Sequence, residues 1–247
     1  MKKFLNLNTA PFLTMALGGL GLLAQQWLQQ TGIDEKGLYI SGHPAAAISF
    51  LFVPVALGIL LFCCWPLAKK AGQHNGFPPS RLYGLLGILA FCVLCVHSIR
   101  ELGAESTGFA RICAWSKLLC GLCVGLITAL SLAGKKPSYL FHAALTLFLI
   151  MIMVANYRAW SCETQLLVYF FPLMATAFML LAGYQRTALA AGSGNHRVFC
   201  FMNMGGLFFC LMALPTGGLF FGGMAFWLLA NLWSGKPLGK ERSHETA

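Results

Sequence analysis

Long apolar stretches alternate with short polar gaps along this chain. Eight stretches stand out, at approximately 8–29, 45–67, 82–99, 110–133, 138–156, 164–184, 198–214 and 217–233. Each is long enough to cross a hydrocarbon core of about 30 Å as a helix, at roughly 1.5 Å per residue. Within such a core the backbone must satisfy its own hydrogen bonds, so helices are expected. The apolar/polar alternation of barrel strands is absent. The pattern predicts an all-α, polytopic transmembrane helix bundle of about eight spans, with residues 1–247 as one integral membrane domain. The largest gaps hold about 15 residues, too few for a soluble catalytic domain.

Two spans carry alternatives. The first follows Lys2 and Lys3, as a signal peptide would, but its apolar run is long and no small-x-small cleavage site follows. It reads as an uncleaved span. The last two spans meet at Pro215-Thr216-Gly217-Gly218, where a tight turn is expected and a re-entrant hairpin is the alternative.

Composition supports the membrane reading. Hydrophobic residues make up 58% and charged residues 10%, with a mean hydropathy of +0.72. Soluble chains carry roughly 25% charged residues. The net charge of +10 first suggests nucleic acid, but the basic residues are spread over short loops without interleaved aromatics. Their distribution instead sets topology. Twelve of the seventeen (Lys2, Lys3, Lys69, Lys70, Arg81, Lys135, Lys136, Arg186, Arg197, Lys236, Lys240 and Arg242) fall in alternate gaps or at the ends. Lys36, Arg100, Arg111 and Arg158 fall in the others, and Lys117 lies inside a span. This imbalance places both termini in the cytoplasm. Asp34, Glu35, Glu101, Glu105 and Glu163 then face outward.

Span 2 (FLFVPVALGILLF) and span 6 (YFFPLMATAFMLL) align through Pro54 and Pro172, at an offset of 118 residues. Arg81 and Arg197 open spans 3 and 7 at nearly the same offset. The match fits two parallel four-helix halves, 1–135 and 136–235, followed by a cytoplasmic tail, 236–247. Coincidence among apolar helices is the competing explanation. Both prolines are expected to kink their helices.

Candidate chemistry gathers at the outer ends of spans 3 to 6. His97, Glu101 and Glu105 are spaced i, i+4, i+8, on one face of a continuing helix. Arg100, Arg111, Lys117, Asn156, Arg158 and Glu163 lie nearby in the topology. An anionic small molecule from the outer side would suit the cations, and His97 with Glu101 could relay a proton. Pairing among interfacial groups is the plainer reading. Lys117 lies about 10 Å deeper than Arg111 at roughly 1.5 Å per residue. If buried, it needs Glu101 or Glu163 as partner; otherwise its stem snorkels to the interface.

Cys92/Cys95 and Cys120/Cys123 form two C-x-x-C patterns. Both lie within hydrocarbon, where a thiolate is disfavoured and cysteine packs as a small hydrophobe. No metal site or cofactor is expected from them. Cys113 and Cys162 lie near the outer surface, where a disulfide between them is allowed. Pro44 fits the first turn of span 2, with Ser41 or His43 near its cap. H-E-x-x-H, G-x-S-x-G and Walker patterns are absent.

The segments YRAWSCETQLLVY, MLLAGYQRTAL and GSGNHR, between Tyr157 and Trp233, resemble uncharacterised multi-span membrane proteins of Clostridia and related Firmicutes. The resemblance implies a bacterial cytoplasmic membrane and brings no substrate, cofactor or catalytic residue. Three functions follow as expectations: a transporter-like or ligand-binding membrane component, an intramembrane enzyme, or a structural partner of another membrane protein. The lipid bilayer is a partner in all three.

Overall fold

The computed structural model describes residues 9–32, 40, 43–65, 81–104, 108–161 and 169–234. These form eight helices: α1 (Ala10–Thr31), α2 (Pro44–Cys64), α3 (Arg81–Ala104), α4 (Gly108–Leu132), α5 (Tyr139–Trp160), α6 (Phe170–Ala190), α7 (His196–Gly217) and α8 (Leu219–Ser234). The helices α2, α3, α4, α5 and α7 are long and apolar enough to cross a membrane, and α8 is a shorter apolar helix. Leu51, Phe62, Leu85, Ile99, Leu122 and Val154 are among many large apolar side chains left exposed. So much exposed apolar surface suits lipid rather than water. The chain is a helical bundle of an integral membrane protein.

Helix ends follow local sequence. Pro44 occupies the first turn of α2, and His43 Nδ1 accepts from Ala45 N at 3.3 Å. The α4–α5 and α6–α7 turns share one design. Each closes a helix on a glycine of positive φ, Gly134 at 71° and Gly192 at 83°. The next residue then donates back to the helix, Lys135 N to Leu130 O and Ser193 N to Ala188 O. Each turn ends on a polar N-cap. Ser138 accepts from Leu140 N, and Asn195 Oδ1 from Arg197 N at 3.1 Å. Replacing Asn195 with alanine should lower stability by about 1 kcal/mol. Thermal unfolding of the purified protein measures this, and an unchanged midpoint would remove the cap from the account.

Two sequence expectations are corrected here. Helix α6 is described from Phe170, and residues 164–168 of the expected span lie outside the described residues. Pro172 therefore sits in the first turn, where an N–H has no intrahelical acceptor, and has no hydrogen bond to break. The expected kink has no cause there, whereas Pro54 lies well inside α2. Helix α7 also runs through Pro215 to Gly217, so the expected four-residue turn shrinks to Gly218, with φ 63°.

Packing places α3 against α4 and α8, then α4 against α5, α5 against α6, α6 against α7, and α7 against α8. Six helices thus close a ring. Helix α1 runs along α7 from outside, and α2 packs on α1 and part of α7. Helix α7 is enclosed on most sides, with every residue from Asn203 to Cys210 buried. A helix apolar all round belongs in such a place. Helix α6 packs along α7, whereas its sequence match, α2, packs on α1 and α7 rather than along α3.

Hydroxyls inside the bundle mostly serve their own helices. Thr14, Ser98, Ser116, Thr128, Ser131, Thr146 and Thr187 each donate to the carbonyl four residues earlier. That satisfies both groups without water.

Candidate functional site

Lys117 projects from α4 towards α3, not to the interface. Its Nζ donates to Glu101 Oε1 at 2.7 Å and Oε2 at 2.8 Å. Only 13% of the lysine side chain and 27% of the glutamate is exposed. One turn before Glu101, His97 Nε2 lies 3.1 Å from Oε1, at ion-pair distance but off the hydrogen-bond line. Helix spacing explains this, because residues four apart share a face. Helix α8 completes the group. Lys117 Nζ is 5.5 Å from the Phe220 ring centroid, and the His97 and Phe220 rings are 6.4 Å apart. Phe220 is buried, and its ring face attracts the ammonium.

Three helices therefore assemble one ionic group at the α3–α4 end. Snorkelling of Lys117 gives way to pairing, because Glu101 is within reach and only partly solvated. The sequence offered Glu101 and Glu163 as partners, and the structure selects Glu101. Phe220 was missed, since a Phe-Phe pair in an apolar span gives no hint that it lies beside charge. Below the group, Cys120 Sγ lies 4.0 Å from Met224 Sδ, continuing the α4–α8 contact.

The other candidates do not all converge on this group. Arg100 and Arg111 are exposed on the last turn of α3 and the first turn of α4. Arg158, at the end of α5, stacks its guanidinium over Phe109 at 4.7 Å. Asn156 is half-buried on α5. Trp160 and Tyr169 stack at 4.9 Å across the α5–α6 connection. Glu105, Cys162 and Glu163 lie outside the described residues, so the Cys113–Cys162 pairing does too; Cys113 itself is half-buried. Among the described residues, no three His, Cys, Asp or Glu side chains gather as a metal site would require. Cys92 is exposed and Cys120 faces Met224, while Cys95 Sγ lies against Gly121 of α4.

A second polar group lies at the opposite end, and sequence reading missed it. Arg186 was counted among the solvated loop cations. Helix α6 extends to Ala190, which places Arg186 within it, and only 7% of the residue is exposed. Its guanidinium lies 5.7 Å from the Phe199 ring of α7. His142 of α5 and Tyr83 of α3 are also buried, on the helix turns at the same end of the bundle.

A bundle of apolar helices with much exposed apolar surface and a half-buried lysine–glutamate–histidine group defines a polytopic integral membrane protein. No protein family, curated protein or solved structure matches the chain.

Proposed function

We propose that this protein is a ligand-binding or transporter-like component of a bacterial cytoplasmic membrane, with both termini in the cytoplasm. The observation that carries it is the two-pronged Lys117–Glu101 pair, joined by His97 and Phe220, in a span where ionisable groups are costly. A small carboxylate entering from the outer side would take the place of Glu101 on Lys117. His97, beside the same carboxylate, would remain as the neighbour of Glu101.

The twelve-to-four distribution of basic residues supports the orientation. The resemblance of the Tyr157–Trp233 segments supports the bacterial membrane. A reporter active only outside the cytoplasm, fused to the C-terminus, should stay silent; an active reporter would invert the topology.

Binding is tested on protein purified into nanodiscs. Short-chain carboxylates should raise the unfolding temperature of the native protein and not that of Lys117→Met. No shift with any carboxylate, or an equal shift in Lys117→Met, would remove the site from the proposal.

A further inference from the structure

The group at Lys117 is closed on one side and open on the other. One turn below it, α3, α4 and α8 touch closely. Leu94, one turn from His97, lies 3.1 Å from where a Cβ on Gly121 of α4 would stand, and 2.8 Å from that of Gly223 on α8. Gly121 is one turn from Lys117, and Gly223 one turn from Phe220. Leu94 and Cys120 are fully buried, and Cys120 Sγ meets Met224 Sδ at 4.0 Å. These side chains include no carboxylate, imidazole or amine. Towards the bundle end the contacts thin out. Nothing lies within 4 Å of a Cβ position at Gly103 or Gly108, and 27% of the Glu101 side chain is exposed. Water, a ligand and a proton therefore reach Glu101 from that end.

Within the group one ammonium faces one carboxylate, so its formal charge is zero when His97 is neutral. Helix α8, the third wall, has no ionisable residue between Leu219 and Ser234. Arg100 and Arg111 are exposed, and Glu105 lies outside the described residues. A carboxylate that displaces Glu101 from Lys117 adds one negative charge here. Two carboxylates would then face one ammonium. Like charges sharing a poorly solvated site hold one of the two acids protonated. The proton belongs between the two carboxyl groups. There it makes a charge-assisted O–H···O⁻ hydrogen bond and removes their repulsion. On His97 it would leave the two carboxylates opposed.

We propose that the Lys117 site takes up a carboxylate together with one proton, which binds to the Glu101 carboxyl group. The inference rests on the reading of Lys117 as a carboxylate site. The ligand brings one negative charge and the proton one positive, so the occupied group is as neutral as the empty one. No covalent bond breaks; the Lys117–Glu101 hydrogen bonds give way to bonds with the ligand. Ligand and proton together have the composition of the uncharged acid, the form that a membrane interior tolerates best.

The experiment measures the butyrate concentration that half-saturates the rise in unfolding temperature of the full chain in nanodiscs. It is run at about pH 7 and about pH 8, above the usual range of a free carboxylate. Butyrate is then ionised in solution, so a proton taken up on binding comes from the buffer. Uptake of one proton makes binding about tenfold weaker for each unit of rising pH. That slope is the result expected of the native protein. Glu101→Gln, already uncharged at this position, should bind butyrate with no pH dependence. His97→Gln should keep the slope, and it decides if the Glu101 variant does not fold. A native affinity independent of pH overturns the proposal while leaving the carboxylate site in place. So does a slope that survives in Glu101→Gln, or one lost in His97→Gln, since the proton would then sit elsewhere. No rise in unfolding temperature with butyrate at either pH removes the site itself, and the proton with it.

Discussion

Glu101→Gln should cost the folded protein about 2 kcal/mol, between the small value of an exposed ion pair and the larger cost of breaking a fully buried one. The loss arises because Lys117, only 13% exposed, then keeps a charge in a poorly solvated place. Glutamine offers one acceptor oxygen in place of the carboxylate that now receives bonds at 2.7 and 2.8 Å. Lys117→Met should cost less, since it removes the charge, preserves the stem's apolar contacts and leaves His97 beside the glutamate. The double variant should then recover most of what Glu101→Gln loses. Chemical unfolding of the four proteins gives the coupling directly. Additive costs would show that the pair contributes nothing, as many solvent-exposed pairs do.

The second large effect concerns close helix approach. A Cβ added at Gly205 on α7 would run into the Phe178 ring of α6. Phe178 is itself buried and packed against Phe201 and Phe209, with ring centroids 6.1 and 5.2 Å away, so it has little room to turn. Gly205→Ala should therefore destabilise by about 1–3 kcal/mol, the range for overpacking a core. Phe178→Leu in the same chain should restore part of it. Gly19→Ala on α1 is the contrast, because nothing lies within 4 Å of its Cβ position. That change should be neutral, or stabilising by up to about 1 kcal/mol from helix propensity. Equal responses at the two glycines would mean that α6 and α7 are not packed as described.

Much of the fold was legible along the chain. Apolar length alone gave eight helices, because a segment without internal polar groups has no other stable form in hydrocarbon. The start of α2 followed from local chemistry at Pro44. The reading failed where a proline was misjudged. Pro172 was read as a kink although it lies in the first turn of α6, and Pro215 as a turn although α7 continues through it. Proline is a poor guide near a helix end, since its cost depends on which turn it occupies.

The ionic site was half legible. The i, i+4 spacing put His97 and Glu101 on one face, and the depth of Lys117 called for a carboxylate. The choice of Glu101, and the closing contribution of Phe220 from more than a hundred residues away, could not be read. Arg186 was misread for a related reason. A cation at the edge of an apolar run looks like a loop residue until the helix is seen to extend past it.

What the sequence determined by itself was the class of the protein, the eight helices found among the described residues, and Lys117 as an ionisable position that lipid would penalise. Those follow from transfer energies, which depend on each residue's own chemistry. What only the tertiary structure decided was which helices are neighbours. Lipid-facing and partner-facing apolar residues read alike in a membrane span, because both surroundings are apolar. The pairing of α3 with α8, which brings Phe220 to His97 and Lys117, and the closing of the ring of six helices are set by shape and by close approach at small residues.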